Sequence, residues 1–463
     1  MMKNELFPPQ YDQIVDCLRL SSAYLVGGAV RDLLLKRPIH DLDFALPEGT
    51  IPAAKRVADQ LGGAFFVLDP QRQTCRVILK DGRGQRTLVD FTLFQGETIE
   101  QDLASRDFTI TSMALDIKED LPIIDPFNGA QDLVDRLIRP TSEHSLEDDP
   151  LRCLRAVRLA AQLGFKLIPE AKDQIRRFKG KLVEISPERI RDEFFRILEG
   201  PNQSAALLSL QVLGLYCFIL PGGVSQHLGR TLKNLEGIWS LFNQDHDQEK
   251  SASWSRGTLV HRLGRYRKEV REYGCQEIVP GRSIYQLNFL LPLLADLPAE
   301  EGPMTSQMIS AQIPLSNQEA NFLEMGIRAG LSWSDVEGDC QPVEVYRYFD
   351  RFGRAGVAAI FLALAAAIGK QNEGMGQDPW NLQLDHARYF LEGFWEKNQE
   401  WVNPPVPLDG NDLQKEFQLP PGPEIGSLLE SLREQQVRTG LRSRSEGLEF
   451  LKQEISRSGR KVQ

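Results

Sequence analysis

The chain has 463 residues, 41% hydrophobic and 25% charged, with a formal net charge of −10. That length calls for more than one domain, and the composition supplies enough apolar side chains for true cores, which sets aside disordered and fibrous classes. The acidic balance argues against indiscriminate nucleic-acid binding but does not exclude a folded RNA partner, since positive charge can be local.

Ser22–Val26 reads as a strand that runs into Gly27-Gly28, and Val30–Leu35 as the helix opened by that turn. Asp41–Ala45 is a second strand, and Pro52–Leu61 a helix with apolar residues at helical spacing. Phe65–Leu68, Cys75–Leu79, Thr87–Phe94 and Leu121–Ile124 are further strands. Asp81-Gly-Arg-Gly has the composition of a hairpin turn. Strand signals fade after Asp149. Pro150–Leu163 is a helix stopped by Gly164; Pro187–Leu198 is another, with Ser186 as N-cap and Pro187 at the first helical position. Helical segments fill the remainder. Gly200-Pro-Asn, Pro221-Gly-Gly, residues 244–253 and Asn403-Pro-Pro-Val-Pro are candidate joints. No run of about 18 apolar residues is present; the Ala-rich stretch Val357–Ile368 reads as a buried helix. The first residues lack the apolar core of a signal peptide, so a cytoplasmic protein without a membrane partner is expected. Cys17, Cys75, Cys153, Cys217, Cys275 and Cys340 form no CxxC pair, which suits reduced core thiols better than disulfides or zinc.

Four blocks carry chemistry. Asp41 and Asp43 are two apart on a strand, so both carboxylates project from one face. Two hard oxygen ligands on a rigid strand suit Mg²⁺, which also takes phosphate oxygens and water. Asp90, an acid inside the apolar strand Leu88-Val-Asp-Phe, is the candidate third carboxylate of a two-metal site. Gly27 and Gly28 let backbone N–H groups approach a polyphosphate, with Arg31 in the first helical turn. Their spacing is not the G-x-G-x-x-G of a dinucleotide fold. Arg106, followed by Asp107 ahead of an amphipathic segment, is a triphosphate clamp or part of a capped helix. In Asp149-Pro-Leu-Arg152, with Arg155 and Arg158, arginines recur every third residue of a helix and Asp149 lies one turn before Arg152. An Asp acceptor beside an Arg donor matches cytosine and adenine, each of which presents an exocyclic amine next to a ring-nitrogen acceptor. Uracil and guanine present the reverse pattern and leave buried polar groups unpaired. A salt-bridged surface helix is the plainer reading of the same residues.

Three basic clusters are solvated helix faces or RNA contacts: Arg176, Arg177, Lys179 and Lys181; Arg262, Arg265, Arg267, Lys268 and Arg271; Arg433, Arg438, Arg442 and Arg444.

Together, LVGGAVRDLLL…HDLDF, DLASRDFTITSMALD, IDPFNGAQDL, DDPLRCLRAVRLAAQLGF and SPERIRDEFFRIL run in family order across residues 24–198, and DGNDLQKEFQLPPGPEIGSLLESL follows at 409–432. This set resembles the class II tRNA nucleotidyltransferases, the CCA-adding enzymes, and their relatives the bacterial poly(A) polymerases. The resemblance implies an α+β nucleotidyltransferase head of the DNA polymerase beta superfamily on a mixed sheet (1–140). A helical neck (141–200), body (201–402) and tail (403–463), all α, would follow, with the tail as a tRNA-binding segment. It implies Asp41 and Asp43 as Mg²⁺ ligands, and Gly28, Arg31 and Arg106 as binders of the nucleotide sugar and triphosphate. Asp149 and Arg152 would be the protein template for C and A, supported by Arg155 and Arg158. The tRNA 3′ end, CTP and, for full CCA addition, ATP would be partners.

Four positions depart from the family pattern. Ser105 stands where a first arginine is usual, Thr111-Ser112 replaces Asn-Ala, and Asp43 is followed by Phe-Ala-Leu. Only Gln95–Ser105 separates the Asp90 strand from Arg106, where members that add the final A carry a longer flexible loop. The short form resembles enzymes restricted to adding CC, which work with a separate A-adding enzyme. The alternatives are A addition or poly(A) synthesis by the same chemistry and, from a different class, a catalytically inactive RNA-binding protein.

Overall fold

The computed structural model describes residues 6–81, 84, 86–118, 123–220, 225–243, 254–297, 305–333, 340–371 and 377–457. The chain divides into two units, Met1–Ile219 and Leu220–Gln463.

The first unit opens with helix α1 (Tyr11–Leu18), which buries Ile14 and Leu18. Strand β1 (Tyr24–Val26) then meets Gly27, and helix α2 (Gly28–Leu34) begins at once. Strand β2 (Asp41–Leu46), helix α3 (Thr50–Leu61), and strands β3 (Ala64–Asp69), β4 (Thr74–Lys80) and β5 (Arg86–Leu93) follow. Helix α4 (Ile99–Ala104) and strand β6 (Ala114–Asp116) complete the sheet region. The six strands lie in the order β3-β4-β5-β2-β1-β6. β2 and β5 pair in parallel and the other neighbours antiparallel, so the sheet is mixed. The period-2 alternation explains its core. Cys75, Val77 and Leu79 on β4 and Thr87, Val89 and Phe91 on β5 turn to the buried face, and Arg76 and Asp90 turn to the other. α3 covers the buried face with Ala53, Ala54, Val57 and Ala58.

The strand expected over Leu121–Ile124 is not where the sixth strand forms. β6 is Ala114–Asp116, inside the stretch read as amphipathic and following Arg106, and Ile124 makes only an isolated bridge to Ala114. Residues 121 and 122 lie outside the described residues, as do 82 and 83 of the expected hairpin turn and the candidate joints at 221–223 and 244–253.

The unit continues with α5 (Gly129–Asp135), β7 (Leu137–Ile138), α6 (Ser145–Asp148), α7 (Arg152–Leu163), β8 (Lys166–Leu167), α8 (Pro169–Phe178), α9 (Pro187–Glu199) and α10 (Gln203–Leu213). Gly164 ends α7 in the left-handed conformation, and the Ser186 hydroxyl accepts from the Arg189 N–H, as the caps predict. α7 starts two residues later than expected. Pro150 bars its predecessor from helical geometry, and Asp149 accordingly sits extended at φ −140°, ψ 97°.

The second unit contains α11 (Gln226–Asn243), α12 (Trp254–Leu263), α13 (Arg267–Cys275), α14 (Ile284–Ala295), α15 (Ser306–Gln312), α16 (Asn317–Trp333), α17 (Pro342–Gln371), α18 (Gln377–Trp395), α19 (Gly410–Phe417), α20 (Pro423–Thr439) and α21 (Arg444–Arg457). It is not purely helical: β9 (Glu277–Val279) and β10 (Arg282–Ser283) form a small hairpin. α17 is long and apolar enough by composition to cross a membrane, yet 72% of its most apolar window is buried inside the protein, which agrees with the buried helix expected over Val357–Ile368. All six cysteines are free, but only Cys75 and Cys153 are buried; Cys217 and Cys275 are exposed, so the core-thiol expectation holds for two.

Candidate active site

The site grows from the β1–α2 turn and the polar face of the sheet. Gly27 has φ +71° and ψ −135°, a conformation that only glycine adopts without strain. A Cβ there would lie 3.3 Å from Arg106 Nη1 and 3.4 Å from Asp43 Oδ2. The bare Gly27 backbone, the Asp43 carboxylate and the Arg106 guanidinium therefore converge on one spot. Gly28 is covered by Arg31, whose Nη2 is 3.5 Å from where a Cβ would stand. Arg31 is held in place by a fork of bonds to Asp32 at 2.9 and 2.7 Å.

Asp41, Asp43 and Asp90 face one side of the sheet. Asp43 pairs in parallel register with Asp90, and Arg76 lies opposite Asp90 on the far strand. Burial first, and then the Asp90 charge, push the Asp43 carboxyl up to about 6 and raise Asp41 in the same direction. Arg106 and Arg76 offset this in part for Asp43. Carboxylates whose charged forms are disfavoured by burial and by a neighbouring carboxylate are stabilised by a cation, and their hard oxygen donors suit a divalent metal. Asp90 stands differently from the other two. Its carboxylate is gripped by Arg76 through two bonds of 2.7 and 2.8 Å. Among the described residues, no three metal-type side chains close on a common point.

Arg106 is anchored from below. Asp102 of α4 accepts from its Nε and Nη2 at 3.1 and 3.0 Å, and Asp102 also accepts from the Gln95 N–H at 3.0 Å. Asp107, buried, accepts from the Phe108 N–H, from the Thr111 hydroxyl at 2.6 Å and from Arg155 at 3.0 Å. These partners overcome the cost of burial and hold its carboxyl below the usual range.

On α7 the arginine stripe is present, but each guanidinium has its own task. Arg152 donates to the carbonyls of Ser105 (2.8 Å) and Ser145 (3.0 Å) and to the Ser145 hydroxyl (3.1 Å). Its Nε is buried without a hydrogen-bond partner. Arg158 pairs with buried Glu193 of α9 at 2.5 Å. The expectation that Asp149 shares a helix face with Arg152 is corrected: Pro150 takes Asp149 off the helix, and its carboxylate meets Arg189 instead, at 3.3 and 3.4 Å.

The same chain order of elements recurs in known proteins. Residues 23–139 match the family described as "Poly A polymerase head domain", and 164–225 match "Probable RNA and SrmB-binding site of polymerase A". A CC-adding tRNA nucleotidyltransferase of Geobacter sulfurreducens is 31% identical over 93% of this chain and 91% of its own length. The chain belongs to the tRNA nucleotidyltransferase family. An A-adding tRNA nucleotidyltransferase of Deinococcus radiodurans is 28% identical over 89% of this chain and 91% of its own. A solved structure described as a CCA-adding enzyme in its apo form shares the fold at a TM-score of 0.66, with 19% identity over 98% of this chain and 96% of that one.

Two departures from the nucleotidyltransferase pattern have local explanations. Ser105 ends α4 with its hydroxyl bonded to the Asp102 carbonyl at 2.6 Å, while its own carbonyl receives Arg152. Thr111 supplies the hydroxyl that binds Asp107, and the Ser112 hydroxyl closes onto the Phe108 carbonyl at 2.8 Å. Sequence reasoning missed Arg76, Asp102 and Arg189. Arg76 is a charge alternating with apolar residues on a strand beside Asp90, a signal that could have found it; Arg189 carried none beyond its place in the first turn of α9. The basic clusters are largely neutralised. Arg176 pairs with Asp173, Lys181 with Glu147, Arg265 with Glu396, and Arg444 with Asp412 and Glu416.

Proposed function

We propose that this nucleotidyltransferase is a CC-adding enzyme that extends the tRNA 3′ end with CTP and leaves the final A to a separate enzyme. The observation that carries this reading is the Gln95–Ser105 connection. It is no loop with slack. Thr98 caps α4 by accepting from the Gln101 N–H, the Glu97 N–H is tied to the Gln101 side chain at 2.7 Å, and Asp102 ties Gln95 to Arg106. Ile99 and Leu103 are buried with Val26, Ala45 and Ala114. A flexible loop displaced elsewhere in the Phe44–Phe94 stretch is also unsupported, since α3, β3, β4 and β5 occupy most of it. The full-length likeness to a CC-adding relative points the same way.

In this reading the tRNA 3′ hydroxyl attacks the CTP α-phosphate in line and pyrophosphate leaves. Gly27 and Gly28 admit the polyphosphate close to the backbone, and Arg31 and Arg106 bind its oxygens. Asp149 accepts from the cytosine amine, and the Arg152 guanidinium donates to the ring nitrogen. Arg155 and Arg158 hold α7 rigid through Asp107 and Glu193. Mg²⁺ held by Asp41 and Asp43, with Asp90 adjoining, would supply charge neutralisation at the attacking and departing oxygens. Residues 1–140 serve as the catalytic head, 141–200 as the neck bearing the base-reading residues, and 201–402 and 403–463 as body and tail for the tRNA, in a cytoplasmic enzyme.

The test is incubation of the purified protein with tRNA ending at its discriminator base, with CTP and ATP together, followed by sequencing of the 3′ ends. Ends in CC support the reading. Ends in CCA, addition of A to a CC end alone, or long A tracts refute it.

A further inference from the structure

Pyrimidine choice at this site turns on where the Asp149 carboxylate is held, and nothing on α7 holds it. Arg152 spends its terminal nitrogens on Ser105, Ser145 and Arg106 oxygens. Among the described residues Asp149 receives two donors: the Leu151 N–H at 3.3 Å, and Arg189 Nη2, shared between both carboxylate oxygens at 3.3 and 3.4 Å. Arg189 reaches it from α9, whose register is fixed independently. Glu193, four residues on and therefore on the same face, is buried and bonded to Arg158 of α7 at 2.5 Å. The Ser186 cap fixes the start of the helix.

We propose that Arg189 is a specificity-determining positioning residue, which orients Asp149 so that its carboxylate faces the amine of an incoming cytosine. The inference rests on the assignment of Asp149 to base reading. Two long bonds from one guanidinium aim the carboxylate and leave lone pairs over, so an amine donor can still be accepted. An acceptor in that place pairs with the cytosine amine and opposes the uracil carbonyl at the same position, so discrimination depends on its aim as well as its presence. Without Arg189 the carboxylate is free to rotate toward solvent, and both nucleotides are handled more equally.

The experiment measures kcat and KM for CTP and for UTP on tRNA ending at the discriminator base, in wild type, R189A, R189K, D149N and D149N/R189A. The expected result is a CTP/UTP preference at least about tenfold lower in R189A, the size of one lost hydrogen bond to a charged group. R189K should restore part of it, pyrophosphate inhibition should not change, and adding R189A to D149N should cost nothing further. A preference in R189A equal to wild type, or costs that add fully in the double variant, overturns the proposal. Arg189 is about half exposed, with 53% of its side chain accessible, so folding should survive. If melting shows that R189A does not fold, R189Q decides by the same preference. A wild type that adds no C contradicts the reaction and the inference with it, whereas a wild type that adds C beside an unaffected R189A contradicts the inference alone.

Discussion

Asp43 concentrates the electrostatics of the site. Its carboxyl is raised from an ordinary 3.8 to about 6, so the folded state holds a proton more tightly than the unfolded one. The stability supplied by that proton is complete below about pH 4 and is lost as pH rises through about 6. In EDTA the melting temperature should therefore fall between about pH 4 and pH 6 and level off above, and Mg²⁺ should restore it at about pH 7, where the carboxylates are ionised. A melting curve at pH 7 that ignores Mg²⁺ contradicts the cation role. Asp41→Ala should abolish nucleotide incorporation while tRNA binding, read by gel shift, stays close to wild type. Loss of binding with chemistry intact would remove Asp41 from the metal site. Gly27→Ala forces a Cβ against Arg106 and Asp43 at a positive φ. It should cost about 1–3 kcal/mol in denaturant unfolding and depress incorporation sharply. At this scale the sequence was most legible where one residue type answers to one physical need. Gly27 and the pair Asp41/Asp43 are of that kind. Arg76 left a signal, a charge alternating with apolar residues on the strand beside Asp90, that went unread; Arg189 was not legible, because an ion pair between separate helices leaves no spacing to read.

α4 and α7 decide what those residues can do. α4 turns the link between β5 and Arg106 into a packed element, with Leu103 fully buried. Leu103→Ala should destabilise the first unit by about 2–5 kcal/mol, measured by urea unfolding. An unchanged midpoint would mean that the link is slack after all. α7 braces the site, since Arg152 fastens the Ser105 carbonyl that precedes Arg106. Arg152→Ala is expected to relax the choice of C over U and also to weaken CTP triphosphate binding, because the carbonyls it satisfies hold the clamp. A loss confined to base choice would show that the backbone bonds are idle. The start of α7 shows how a helix boundary can mislead. Arginines at every third residue suggested that Asp149 and Arg152 share a face, yet Pro150 excludes Asp149 from the helix. Ala114–Asp116 was hidden for a related reason. A three-residue strand is too short for a period-2 pattern, and its identity comes from pairing with β1.

For the molecule as a whole, an α+β head followed by helices was legible because hydrophobic period changes near Asp149, and the order of the motif blocks across 24–198 matched one family. The hairpin β9–β10 escaped notice because two- and three-residue strands carry little pattern against the surrounding helices. The basic clusters, read as solvated faces or RNA contacts, acquire acidic partners that only the folded chain brings near, such as Glu396 for Arg265 and Asp412 for Arg444. The family fixes the chemistry, and the packed Gln95–Ser105 link is the observation on which the proposal of CC addition rests. The most direct test supplies the protein with tRNA ending at the discriminator base, CTP and ATP, and sequences the 3′ ends at completion. The account predicts products ending in CC, which become CCA only when an A-adding enzyme is supplied. CCA ends made by this protein alone would contradict it.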